Sequence, residues 1–289
     1  MKRLFARSPL VAFLAAPLFA HAVDITAGTA EYITFRDCIA GVTACDSISR
    51  IVSGQYGGNP GAYSSAATQN HAGYGSASGS VSFSGVIGAP VLHANASSDP
   101  GKRANTNSVA LQSYTYTGST PATRTFGGTL SYDQTLTGVY PDTGATGVYA
   151  VIDAFTLTAA GIDAGTDSAS NFEALFGEAF AGDPAYGYAD LAQNSFSDDA
   201  THIGGTGNMS VTLDLTPGET VWLYVLLQTP AVNGSVVDAS HTLVTGWNDA
   251  TDLVPAVTSA PVPEPSSWAL IGCGLAAAAV LRRRRALSA

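Results

Sequence analysis

Between Val23 and Pro261 the sequence never sustains a 3.6-residue apolar period. It repeats short runs that alternate apolar and polar residues or are rich in β-branched ones, punctuated by Gly, Pro, Asn and Asp. A period of two belongs to strands half-buried in a sheet, so this pattern restricts the fold more than any motif does. Met209–Thr216 (MSVTLDLT) alternates without a break, and Pro217-Gly218 follows as a turn. Thr220–Gln228 (TVWLYVLLQ) is apolar on both faces, as suits a central strand. Asn233-Gly234 is a strong hairpin dipeptide and leads into Ser235–Val244. Ala30–Arg36, Ser80–Ile87, Val109–Thr117, Thr125–Thr137 and Val148–Thr158 read as further strands. About eight or nine strands at this spacing predict an all-β domain over residues 23–260, an antiparallel, jelly-roll-like β-sandwich. Asn171–Phe180 is the one short helix expected, and Gly54–Gly79, rich in Gly, Ser, Ala and Tyr, reads as a long loop.

Charge narrows the function classes. Only 12% of the 289 residues are charged, where about 25% is usual for a soluble domain, so Ser, Thr, Gly, Asn and Gln must cover the surface. Residues 23–260 hold five basic residues (Arg36, Arg50, Lys102, Arg103 and Arg124) against 21 acidic ones, a net of −16. Such a body is repelled by phosphate backbones and by anionic membrane surfaces, which argues against nucleic acid as a partner.

The two ends read as addresses. Lys2, Arg3 and Arg7 precede a ten-residue apolar stretch, Leu10–Phe19, and Ala20-His21-Ala22 supplies small residues at −3 and −1. Residues 1–22 are therefore expected to be a signal peptide cut between Ala22 and Val23. At the other end, Trp268–Leu281 is an unbroken apolar run of 14 residues, followed by Arg282, Arg283, Arg284 and Arg285. As a helix it would cover about 21 Å, short of a hydrocarbon core of about 30 Å. Ser266, Ser267 and snorkelling arginines would stretch it to a marginal transmembrane helix over 266–281. The arginine cluster is expected to stay cytoplasmic, acting as a stop signal and leaving the body outside.

Val262-Pro263-Glu264-Pro265, a short apolar helix and a terminal arginine cluster, in that order over residues 261–289, resemble the PEP-CTERM sorting tail of exported bacterial proteins. The same tail also carries the label of an ice-binding protein C-terminal motif, which says nothing of the body before it. The resemblance implies export, an inner-membrane passage by a single C-terminal span, and delivery to the cell surface or extracellular matrix. It implies as partners the secretion machinery and an exosortase-type sorting enzyme that recognises Pro-Glu-Pro. The prolines would hold Glu264 in an extended stretch that an enzyme can reach. The run from Pro217-Gly218-Glu219 to Leu243 is also similar to the last strands of many PEP-CTERM bodies, which implies a sandwich and no activity.

Candidate sites in the body are few. Cys38 and Cys45 are its only cysteines, and in an oxidising compartment they are expected to form a local disulfide. Asp163 and Asp167 begin an Asp-rich segment with oxygen ligands at alternate positions. It lacks the Gly and Glu of an EF-hand, so it is at most an irregular calcium loop; Asp198-Asp199 is a weaker candidate of the same kind. No other cofactor is expected. Ser240-His241 cannot pair as nucleophile and base, because adjacent residues on a strand face opposite ways. Tyr56, Tyr63, Tyr74, Tyr114 and Tyr116 are aromatic material for stacking on sugars, or ordinary strand filling. With no H-E-x-x-H and no G-x-S-x-G, the sequence points to a non-catalytic surface or matrix protein, associated with biofilm or exopolysaccharide. The other readings are a secreted carbohydrate-active hydrolase using paired carboxylates, and a passive surface spacer.

Overall fold

The computed structural model describes residues 27–37, 46–57, 64–84, 87–135, 146–157, 188–199 and 204–255. Outside them lie the signal peptide with Ala22 and Val23, Cys38 and Cys45, Tyr63, Asp163 and Asp167, the helix expected at Asn171–Phe180, and the whole tail from Val262 to Arg285. The described strands are β1 (Ala27–Asp37), β2 (Asp46–Gly57), β3 (Ser64–His71), β4 (Gly75–Ser84), β5 (Ala89–Ser98), β6 (Arg103–Tyr116), β7 (Ala122–Thr135), β8 (Gly147–Leu157), β9 (Tyr188–Asp199), β10 (Gly204–Leu215), β11 (Thr220–Val232), β12 (Val236–Trp247) and β13 (Leu253–Pro255). They form two antiparallel sheets. One has seven strands in the order β2-β1-β6-β11-β8-β9, with β13 also on β6; the other has six, in the order β10-β7-β12-β5-β4-β3. From β5 onward the chain changes sheet at every connection except β8 to β9, which is jelly-roll-like travel.

The sheets pack face to face. Ile33, Phe35, Tyr114, Ile152 and Leu223 of the seven-stranded sheet meet Leu92, Phe126, Leu130, Met209 and Leu243 of the other in one core. The seven-stranded sheet is buried on its outer face too, where Val109, Leu111, Val151, Phe155, Trp222, Tyr224 and Leu226 form a second cluster. That double burial is why Thr220–Gln228 shows no alternation. The six-stranded sheet is one-sided. β10 alternates exposed and buried from Asn208 to Leu215, with Met209, Val211, Leu213 and Leu215 inward.

All eight expected strands are present, yet the expected loop at Gly54–Gly79 is not a loop: it holds the end of β2, all of β3 and the start of β4. The alternation there is between serine and small apolar residues rather than between polar and large apolar ones. In β4, Ala77 and Val81 point inward with Gly79 between them. Small side chains suffice because polar groups of the facing sheet fill the space.

Pro217-Gly218 forms its turn: Glu219 N–H donates to the Thr216 carbonyl at 3.0 Å, and Gly218 has φ of 84°. Asn233 and Gly234 also turn, with φ of 56° and 82°, and Ser235 N–H donates to the Val232 carbonyl at 3.2 Å. This turn closes no hairpin, however, because β11 and β12 belong to different sheets. The β5–β6 turn holds it instead: Asn233 N–H donates to the Lys102 carbonyl at 2.8 Å, and Gly101 N–H donates to Asn233 Oδ1 at 2.8 Å.

Candidate functional site

Glu31 is the most chemically unusual residue described. It sits in phase with Ile33 and Phe35 on β1, so the pleat aims it between the sheets, where it is fully buried. Its Oε1 lies 3.0 Å from Ser65 Oγ on β3, and its Oε2 lies 2.6 Å from Ser108 Oγ on β6, its register partner. Burial pushes its carboxyl up to about 8, against the opposing pull of the two serine hydroxyls. A displaced acid often marks a functional site. This one has no route to a substrate: a Cβ at Gly79 would already collide with Glu31 Oε2 and Ser108 Oγ, so the cluster is packed shut.

The broad exposed surface of the described residues is the outer face of the six-stranded sheet. One row across it runs Asn208, Thr129, Val244, Val91, Ser82 and Ser64, fixed by the pairings of six successive strands. The neighbouring row begins Ser210, Gly127 and Gly246. A trough of about 380 Å³ opens there, lined by Gly127, Gly128, Thr129, Asn194, Asn208, Met209, Ser210 and Val244, and Gly246, the register partner of Gly127, lies beside it. Thr129 Oγ1 donates to Asn208 Oδ1 at 3.0 Å on the floor's edge. Asn194 reaches it from β9, around the sandwich edge, and its Nδ2 donates to the Ser210 carbonyl at 2.9 Å. Val244 is 51% exposed there. Two carboxylates, Asp133 on β7 and Asp238 on β12, face each other directly further along the same surface.

The residues singled out from the sequence do not gather into one site. Tyr114 and Tyr116 are buried core residues, not stacking platforms, because their positions on β6 fall on its inward face. Tyr74 packs against the core edge and carries the Lys102 ammonium 4.8 Å from its ring centroid. Asp198 accepts a hydrogen bond from the Tyr132 hydroxyl, whose pKa burial and that carboxylate push up to about 12. Around Ser240-His241 the premise of strict alternation fails: β12 shifts register between Ala239 and Leu243, and Thr242 has φ of 96°. Thr242 Oγ1 there lies 3.2 Å from His93 Nδ1. Among the described residues no group of three His, Cys, Asp or Glu could hold a metal ion, and no helix is long and apolar enough to cross a membrane. The trough is not among the sites read from the sequence, although glycine inside a β-branched strand is a usable signal of open space.

Residues 261–285 match the PEP-CTERM protein-sorting motif. The chain is thus an exported protein that carries a PEP-CTERM tail behind a β-sandwich body. No curated protein matches it. Among solved structures it is similar to the enzymatically active domain of tailspike protein 4 of bacteriophage CBA120, at 10% identity and a TM-score of 0.22. That match covers 64% of this chain and only 18% of the tailspike chain. It is also similar to a carbohydrate-binding module of the β-sandwich superfamily, described as promiscuous in specificity, at 9% identity and a TM-score of 0.23. That match covers 76% of this chain and 86% of the module. Both likenesses are too slight to bear on function.

Proposed function

We propose that the mature protein is a non-catalytic component of the cell surface or extracellular matrix that contacts extracellular polysaccharide. The observation that carries this reading is the one-sidedness of the six-stranded sheet: among the described residues its outer positions are exposed or half-buried and rich in Ser, Thr and Asn. An exosortase-type enzyme would act on Pro263-Glu264-Pro265 after export, releasing the sandwich from its tail. The intact mass of the protein recovered from its producing cells, together with its retention on their own exopolysaccharide, tests both halves. A chain running from Val23 to near Pro265 and held by the polymer is expected. A chain that keeps Trp268–Ala289, or one that the polymer does not retain, counts against the corresponding half.

The pairing of Asp133 with Asp238 favours one second reading, a hydrolase of matrix polymer, since glycoside hydrolysis needs two nearby carboxylates. Turnover of a glycan that is lost in Asp238→Asn would support it.

A further inference from the structure

The trough over β10, β7 and β12 has a chemistry that selects among polysaccharides, and the inference from it rests on the reading above. Among the described residues its lining has no charged side chain, and the described ionisable groups spread over the same face are Asp133, Asp214, Asp238 and His93. A uronate or phosphate polymer would meet acids and no compensating Lys or Arg there. What the lining does offer is neutral and mixed in hydrogen-bonding sense. Asn208 offers its amide N–H groups, Asn194 its amide oxygen, and Ser210 a hydroxyl that both donates and accepts, while the Thr129 hydroxyl, which donates to Asn208, can still accept. Vicinal hydroxyls of a sugar need this mixture.

The floor supplies the shape. Gly127 and Gly246 are register partners on adjacent strands, and nothing lies within 4 Å of where a Gly246 Cβ would be. A flat ring can therefore come down to the backbone, with its C–H face toward the exposed Val244. A volume of about 380 Å³ falls within the range of about 300–1,000 Å³ typical of small-ligand sites.

We propose that this trough is a binding site for a neutral polysaccharide, with one sugar ring seated on Gly127, beside its register partner Gly246, and between Asn208, Asn194 and Val244. No aromatic ring lines it among the described residues, so each site is weak, with Kd on the order of 1 mM, and firm attachment comes from many copies along one polymer.

Affinity electrophoresis of the protein purified from its producing cells tests this, in gels containing dextran, a β-1,3-glucan, a mannan or alginate. Gly246→Val raises a branched side chain beside Gly127 at the edge of the trough, where the added Cβ meets nothing within 4 Å, and Thr68→Val, at the far β3 side of the same face, is the control. Thermal melts confirm that both variants fold. Retardation by at least one neutral polymer and not by alginate, abolished in Gly246→Val and kept in Thr68→Val, is expected. Retardation that survives Gly246→Val overturns the site but leaves polysaccharide contact standing. Retardation by alginate alone overturns the neutral class, and retardation by none of the four overturns this proposal. If the cells' own exopolysaccharide also fails to retain the protein, the broader reading falls with it.

Discussion

Glu31 Oε2 and Ser108 Oγ, 2.6 Å apart across paired strands, share a proton that must belong to the glutamate. Ser108 Oγ also lies 2.7 Å from the carbonyl oxygen of His93, which can only accept. A hydroxyl has one hydrogen, and it goes to that carbonyl. The short contact to Glu31 then needs a hydrogen from the carboxyl itself. Glu31 is a neutral acid that donates to Ser108, which donates to His93, tying β1, β6 and β5 together across the core.

Stability should therefore fall with rising pH over a defined window. Unfolded, Glu31 ionises near the ordinary 4.5; folded, it holds its proton to about 8. Between those values the unfolded chain binds fewer protons, so the contribution is whole below 4.5, shrinks across the interval and is gone above 8. At 1.36 kcal/mol per pH unit the loss reaches about 5 kcal/mol. Glu31→Gln, which keeps a donor without the ionisation, should flatten this slope and raise the melting temperature at pH 7. A pH series of thermal melts on both proteins decides it, and an unchanged slope in the variant would refute the assignment.

Gly79→Ala should destabilise the sandwich by about 1–3 kcal/mol, because the added methyl meets Glu31 and Ser108, and comes to 2.9 Å from Thr106 Cγ2. Its φ is not the cause, since Gly79 has an ordinary strand conformation. Gly246→Ala, where space is open, should change stability by less than about 0.5 kcal/mol, and urea titration of the two variants makes the comparison.

At the crossing turn, Asn233→Ala loses both the acceptor for Gly101 N–H and the tolerance of asparagine for positive φ. A cost of about 2 kcal/mol, read from urea titration, is expected. Asn233→Gly restores the backbone freedom and should cost about half as much. Equal losses in the two variants would show that backbone strain contributes nothing.

The last described rung of the first hairpin pairs Asp37 with Asp46, and the next residues along the chain are Cys38 and Cys45. In an exported protein such a Cys-x6-Cys pair is expected to close a small loop as a disulfide. A bond should be found by mass analysis after alkylation with and without reduction, and its removal should cost about 2–3 kcal/mol. Two free thiols in the secreted protein would rule it out.

Strands are legible in the sequence wherever large apolar residues alternate, as from Met209 to Leu215. They are hidden in β3 and β4, where serine alternates with alanine and glycine and carries no hydropathy contrast. Asn233-Gly234 announces a turn but not a hairpin, since turn chemistry fixes local φ and leaves open which sheet the next strand joins. Glu31 stands in phase with Ile33 and Phe35, so its direction can be read; its partners Ser65 and Ser108 cannot, because they are set by packing between distant segments. The sorting motif is fully readable because it is a linear signal. The trough is not, because it exists only where four strands, β7, β9, β10 and β12, come together.

β13 also fixes a distance. It is laced to β6 through Leu253, Val254 and Pro255, and the sorting motif begins at residue 261. Residues 256–261 can span at most about 20 Å. Machinery that grips the tail of the folded protein therefore works within about 20 Å of β13. Access to the cleavage segment becomes a question of clearance, and the end of the body beside β13 is the surface that the processing enzyme has to accommodate.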